Sequence, residues 1–174
     1  MFHVERMALL ADAGADFLAC ETIPSLPEVR ALTRALTTVN EDRARPIYAW
    51  LSMSVRDAAL LHDGESTRAA TVLCDACPYV FAVGANCAAP GHMSAWLAMA
   101  SDATDKPKLV YPNSGETWDG DAHDWKGGDS TPMEAKGDGG EANGEGGGGD
   151  SLQALVTEWR NAGARCGSRW CCRA

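Results

Sequence analysis

Three cysteines stand where chemistry could be done. Cys87 closes the run Val83-Gly84-Ala85-Asn86-Cys87, and Cys171-Cys172 form an adjacent pair near the end of the sequence. Neighbouring residues of a strand point to opposite faces, so the paired thiols are poorly placed to bond to each other. A vicinal pair plus one distant Cys, each closing an apolar strand-like run, suits three thiolates gathered on one ion. Zinc takes Cys ligands, and a catalytic zinc commonly has three protein ligands with a fourth position open. The other reading is three ordinary buried thiols, since free Cys is among the most buried residue types. Spacing alone leaves both standing.

The elements that must position these residues alternate along the chain. Val4, Met7, Ala8, Leu10 and Ala11 have helical spacing up to Gly14. Asp16 to Pro24 is an apolar run with a polar tip, the pattern of a buried parallel strand. Ser25, with Glu28 three residues on, predicts a capped helix carrying Val29, Leu32, Leu36 and Val39 on one face. The unit then repeats. Strands are expected at Pro46–Ser54, Tyr79–Cys87, Lys108–Pro112 and Ala164–Cys172, and helices at Ser66–Ala76, from about Gly91 to Ser101, and at Ser151–Ala162. Such alternation implies right-handed crossovers and a parallel sheet.

Polar or reactive residues fall at the C-terminal ends of these strands: Glu21, Ser54, Asn86-Cys87, Asn113 and Cys171-Cys172. A (β/α)₈ barrel builds its active site there, and an open doubly wound sheet binds its ligands beyond the same ends. No Gly-rich phosphate loop follows any strand, which weighs against a nucleotide-binding version of the second.

Composition narrows the classes further. The 174 residues, 45% apolar, suffice for one domain with a core. No apolar run approaches the ~20 residues of a membrane span, and the first residues lack the pattern of a signal peptide. Seven Cys without such a signal point to a reducing, cytoplasmic setting. The net charge of −9 is concentrated: residues 119–150 hold nine acidic residues and two Lys, leaving −2 for everything else. The same segment holds eleven of the eighteen Gly and almost nothing apolar, so it is expected to be a disordered insertion. No basic stripe suggests a nucleic-acid partner.

Five elements in order carry a family resemblance: ADAGADFLACETIP (11–24), SMSVRD (52–57), VGANC (83–87), VYPNSGE (110–116) and CCR (171–173). Together they resemble the zinc-dependent homocysteine S-methyltransferases, in particular those that use S-methylmethionine. The resemblance implies a partial (β/α)₈ TIM barrel, about strands four to eight, as a single unit over 1–174 with the insertion inside it. It implies zinc held by Cys87, Cys171 and Cys172, with Glu21 holding the amino group of homocysteine and Asn113 lining the mouth. Homocysteine and a sulfonium methyl donor are the implied substrates, and methionine the product. A non-catalytic remnant, or a half barrel needing a complementing partner, is the alternative, because five strands would leave sheet edges open to self-association. Arg169-Trp170 depart from the family's Gly-Gly before the paired Cys, with one residue apparently added. An added residue reverses every following side chain unless a bulge absorbs it.

Other motifs have bland readings. Cys74-x-x-Cys77 falls in a predicted helix without a second pair, so packing is expected, as it is for Cys20 and Cys166. His62 and His92 have no metal-ligand spacing around them, and Trp118 and Trp125 are expected to cover the rim.

Overall fold

The structure, a computed structural model, describes residues 2–113, 117–119, 121, 123–126 and 152–167. Five parallel strands form one sheet: β1 (Phe17–Ile23), β2 (Tyr48–Ser54), β3 (Val80–Asn86), β4 (Lys108–Tyr111) and β7 (Ala164–Gly167). Helices α1 (Phe2–Asp12), α2 (Leu26–Asn40), α3 (Thr67–Ala76), α4 (Met93–Ala103) and α5 (Leu152–Asn161) alternate with them.

Local chemistry sets the boundaries. Ser25 Oγ accepts from the Glu28 backbone N–H at 3.4 Å to start α2, and Ser66 Oγ accepts from Ala69 N at 3.3 Å to start α3. After α1 and α5 the chain turns at Gly14 and Gly163, whose φ of 93° and 98° lies where only glycine is unstrained. At the end of α3, Lys106 Nζ donates to the carbonyls of Cys74, Asp75 and Cys77 at 2.7–2.8 Å.

The strand order in space, β1-β2-β3-β4-β7, is the order in the chain. Every crossover therefore steps in the same direction, and right-handed crossovers of that kind put all the helices on one face of the sheet. A doubly wound sheet reverses direction at its switch point, and no reversal occurs among the described strands. Leu18, Leu51, Met53, Val83, Ala85 and Val110 make the helix-covered side of the core, all 6% exposed or less. Consecutive helices pack side by side against it, and the core extends through Val29, Leu36, Trp96 and Leu97.

The opposite face of the sheet differs from the sequence expectation of a buried strand. In β1 burial alternates, with Phe17, Ala19 and Glu21 exposed. Phe17 (49%), Tyr48 (44%) and Phe81 (39%) remain open despite their size. A parallel strand is buried on both sides only where a layer covers each face, and the described helices cover one.

A second small sheet pairs β5 (Thr117–Asp119) with β6 (Asp124–Lys126) in antiparallel register, Trp118 opposite Trp125. The acidic insertion expected from residue 119 thus begins with a hairpin. Its remainder from 127 to 150 lies outside the described residues, as do Arg169-Trp170 and Cys171-Cys172. Among the described residues, no helix is long and apolar enough to cross a membrane.

Candidate active site

Glu21, in β1, and Cys87, just beyond β3, both lie at the C-terminal end of the sheet, and the local backbone shapes how each is presented. Between Cys20 and Ile23 the register of β1 on β2 shifts, so Glu21 and Thr22 form a bulge. A bulge bends the strand and re-aims its side chains. Thr22 has φ 59°, and Cys87, just beyond β3, has φ 51°. A positive φ at a β-branched residue is a steric outlier costing on the order of 1–3 kcal/mol, and it persists only where surrounding contacts impose it.

Those contacts run through Asn86, which is fully buried. Its Oδ1 accepts from Thr22 N at 3.2 Å and from Ser52 Oγ at 2.7 Å. Its Nδ2 donates to Thr22 Oγ1 at 2.8 Å and to Cys87 Sγ at 3.1 Å. Thr22 Oγ1 also lies 3.8 Å from Cys87 Sγ. One amide side chain therefore ties the bulge of β1 to the tip of β3.

The Glu21 carboxylate is oriented by two donors. Trp50 Nε1 reaches Oε1 at 3.1 Å from β2, and the Tyr111 hydroxyl reaches the same oxygen at 3.0 Å from β4. β1 and β4 are three strands apart in order, roughly 14 Å in a flat sheet. A direct bond between side chains of those two strands needs both extended toward each other or a sheet curled toward its open face.

Asn113 follows β4, and its backbone N–H donates to Ala88 O at 3.0 Å, beside Cys87. Its Oδ1 is buried without a hydrogen-bond partner among the described residues, an acceptor left over at the strand ends. At the tip of β2, His62 Nε2 and Ser54 Oγ lie 3.1 Å apart.

The sequence profile described as homocysteine S-methyltransferase matches residues 1–174. Homocysteine S-methyltransferase 4 of Zea mays is 34% identical over 172 residues, 99% of this chain and 44% of that protein. The apo crystal structure of the homocysteine methyltransferase MmuM from Escherichia coli superposes with a TM-score of 0.69 at 32% identity, covering 99% of this chain and 51% of that one. Its metallated form gives 0.65 at 30% identity, covering 98% of this chain and 48% of that one. The chain belongs to the homocysteine S-methyltransferase family. It spans about half the length, or less, of the relatives it matches.

Cys74 and Cys77 are buried in the core, and Cys20 packs against it. Burial pushes the Cys74 thiol up to about 12 and, with the Arg6 charge opposing and the Glu21 charge assisting, the Cys20 thiol up to about 11. Cys77 is buried as well and donates to Thr33 O at 3.7 Å. Cys87 alone of the four has an amide N–H directed at its sulfur while sitting at a partly open strand end. That donor chemistry fits a sulfur serving as a metal ligand, because such sulfurs are commonly supported by hydrogen bonds from a surrounding shell. Among the described residues no three His, Cys, Asp or Glu cluster as a metal site. The two further thiols expected there, Cys171 and Cys172, lie outside the described residues.

Sequence reading named Glu21, Cys87, Asn113, Cys171 and Cys172 as site residues; the structure links Cys87 to Thr22, the neighbour of Glu21, and Asn113 to Ala88, the neighbour of Cys87, while the last two lie outside the described residues. It missed Thr22, Ser52, Trp50, Tyr111 and the anchoring role of Asn86. The available signal was that Asn86 directly precedes Cys87, with Ser52 and Tyr111 near the ends of the adjacent strands.

Proposed function

We propose that this chain supplies the homocysteine- and zinc-binding side of a homocysteine S-methyltransferase, as about strands four to eight of a (β/α)₈ barrel. The observation that carries the reading is the link, through Asn86, between Cys87 and Thr22, the neighbour of Glu21, at one end of a singly wound sheet. β7 runs parallel to β3 with only β4 between them, so its last residue, Gly167, lies toward the sheet end that carries Cys87. Cys171 and Cys172 follow it in sequence and complete the proposed zinc set.

In this reading Glu21 binds the ammonium of homocysteine. Both of its donors converge on Oε1, so Oε2 can face the substrate. The Asn113 carbonyl oxygen, buried and unpartnered, is a second acceptor for the substrate's polar end. Trp50 and Tyr111 hold the carboxylate still, which lowers the cost of orienting the substrate at the moment of reaction. Zinc, when bound, would keep the homocysteine sulfur deprotonated near neutral pH so that it can attack the methyl group of a sulfonium donor. The methyl–sulfonium bond breaks as the new sulfur–methyl bond forms, giving methionine and the neutral thioether. S-methylmethionine and S-adenosylmethionine are both donors of that class.

The aromatic face favours a partner-dependent version of the same reading. Phe17, Tyr48 and Phe81 line a surface that a full-length relative's remaining half would cover. The chain alone is then expected to bind zinc and homocysteine but turn over poorly. Metal analysis of the wild type should find about one zinc per chain, lost in Cys87→Ala. Full retention in the variant, or an ordinary enzyme rate from the 174 residues alone, would overturn the respective half of the proposal.

A further inference from the structure

We infer that Asn86 is a positioning residue that sets the spacing between the Glu21 end of β1 and the Cys87 sulfur, with Thr22 as its second jaw and Ser52 as its brace. The inference rests on the proposed roles of Glu21 and Cys87 and extends them to residues those roles do not name.

An asparagine side chain has two N–H donors and a carbonyl oxygen with two lone pairs. All four capacities of Asn86 are used: Thr22 N and Ser52 Oγ on its oxygen, Thr22 Oγ1 and Cys87 Sγ on its nitrogen. The amide can stand only one way round, because Thr22 N–H requires the oxygen where it is. The orientation of the N–H toward sulfur therefore follows from the backbone of another strand.

The brace has its own provision. Ser52 pairs in register with Gly84, and a Cβ on Gly84 would stand 2.9 Å from Ser52 Oγ and 3.0 Å from the Leu109 carbonyl. Glycine at 84 leaves the hydroxyl the room to reach Asn86. Three strands thus contribute to one closed set of bonds, and its two output ends, Thr22 and Cys87, are two of the three non-glycine residues with positive φ among the described residues. A residue that merely filled the sheet would need none of this. The contact to Cys87 Sγ adds nothing to strand pairing, and the grip on Thr22 fixes the bulge that presents Glu21.

The test uses this chain with zinc alone and homocysteine alone as probes. Zinc affinity is read by competition with a chromophoric chelator, homocysteine affinity by equilibrium dialysis, and folding by thermal melts. Cys87→Ala is the reference for losing the metal reading itself. Asn86→Ala is expected to weaken zinc by about 10–100-fold, the usual range for a group supporting a metal ligand, and to weaken homocysteine in the same protein. Thr22→Val removes the hydroxyl jaw while keeping the shape, and is expected to weaken zinc in a fully folded protein. Thr22→Ser, which restores an oxygen, should recover it. Ser52→Ala should show the same pattern at smaller amplitude. If Cys87→Ala binds zinc like the wild type, the metal reading fails and this inference with it. If Cys87→Ala loses zinc but folded Asn86→Ala and Thr22→Val bind both probes like the wild type, this inference alone is overturned. Should Asn86→Ala not fold, the Thr22→Val and Thr22→Ser pair decides.

Discussion

Leu51 and Trp50 are neighbours in β2 and occupy opposite environments. Leu51 is fully buried beneath the helices, among Leu18, Met53, Val83 and Val110. Trp50 faces the open side, where its ring packs at 5.2 Å from Phe17 and 6.2 Å from Phe81 and its indole N–H serves Glu21. One face of the sheet is a finished core. The other carries aromatic surface low in the sheet and, at the strand ends, a polar set of fully specified bonds. The contrast teaches that stability and chemistry are assigned to different sides of the same strands, so substitutions one residue apart should report on different properties.

The largest expected effect tests the finished side. Leu51→Ala should lower the free energy of unfolding by about 2–5 kcal/mol, the range for deleting a buried leucine side chain. Trp50→Ala removes more atoms yet should cost less, about 1–3 kcal/mol, from two aromatic contacts of a side chain that is only partly buried. Chemical denaturation of both variants checks the ordering, and equal losses would erase the distinction between the faces.

Next in size is a change expected to leave folding alone. Glu21→Gln keeps the shape of the side chain and removes its charge. Hydrogen bonds to charged groups contribute about 1.5–3 kcal/mol, so homocysteine affinity should fall at least about tenfold. The melting temperature should stay within a few degrees, because Gln can still accept from Trp50 and Tyr111. Unchanged affinity in equilibrium dialysis would remove Glu21 from the substrate site.

How much of this was legible in the sequence differs between the faces for a physical reason. Helix-facing positions declare themselves by period: Val29, Leu32, Leu36 and Val39 were assigned to one face of a helix and are all buried there. Strand tips were legible by residue type, which is how Glu21, Cys87 and Asn113 could be named. The links between the tips were not, because they depend on a register shift at Glu21-Thr22 and on two positive-φ residues that no periodicity encodes. The hairpin of Thr117–Asp119 with Asp124–Lys126 escaped for a related reason: each arm is three residues long, inside a stretch whose charge and glycine content read as insertion. The open face could not be read from β1 at all. Phe17-Leu18-Ala19-Cys20 is apolar throughout, and which of those residues is covered depends on what lies across the sheet.

A smaller effect belongs to the cysteines on the covered side. Cys74 is held from 9.0 up to about 12 by burial. Its folded value is raised, so its contribution to stability is fully present below pH 9 and is lost as pH climbs from 9 toward 12. At pH 10 the unfolded thiol is mostly ionised and the folded one is not, a penalty of about 1 kcal/mol. Urea denaturation at pH 8 and pH 10 should show this loss in the wild type and less of it in Cys74→Ala, whatever the offset from the lost side chain. An identical pH dependence would mean that Cys74 is not the buried neutral thiol described.

The last effect is expected on the open face, and it is one of association more than of stability. Phe17 and Tyr48 are 49% and 44% exposed at the start of β1 and β2, where they lie opposite each other in register. Replacing both by Ser removes rings of which the folded chain leaves nearly half in water, so the unfolding free energy should fall by about 1–2 kcal/mol, less than in Leu51→Ala. What should change is association. Contiguous exposed apolar surface of this kind marks a place that another surface covers, and on an isolated chain a second copy is the surface available. Sedimentation of the wild type is expected to depend on concentration, and the Phe17→Ser, Tyr48→Ser variant to move toward monomer while still folded. A loss of stability as large as that of Leu51→Ala would show instead that these rings are part of the core, and the two faces would then differ in degree only.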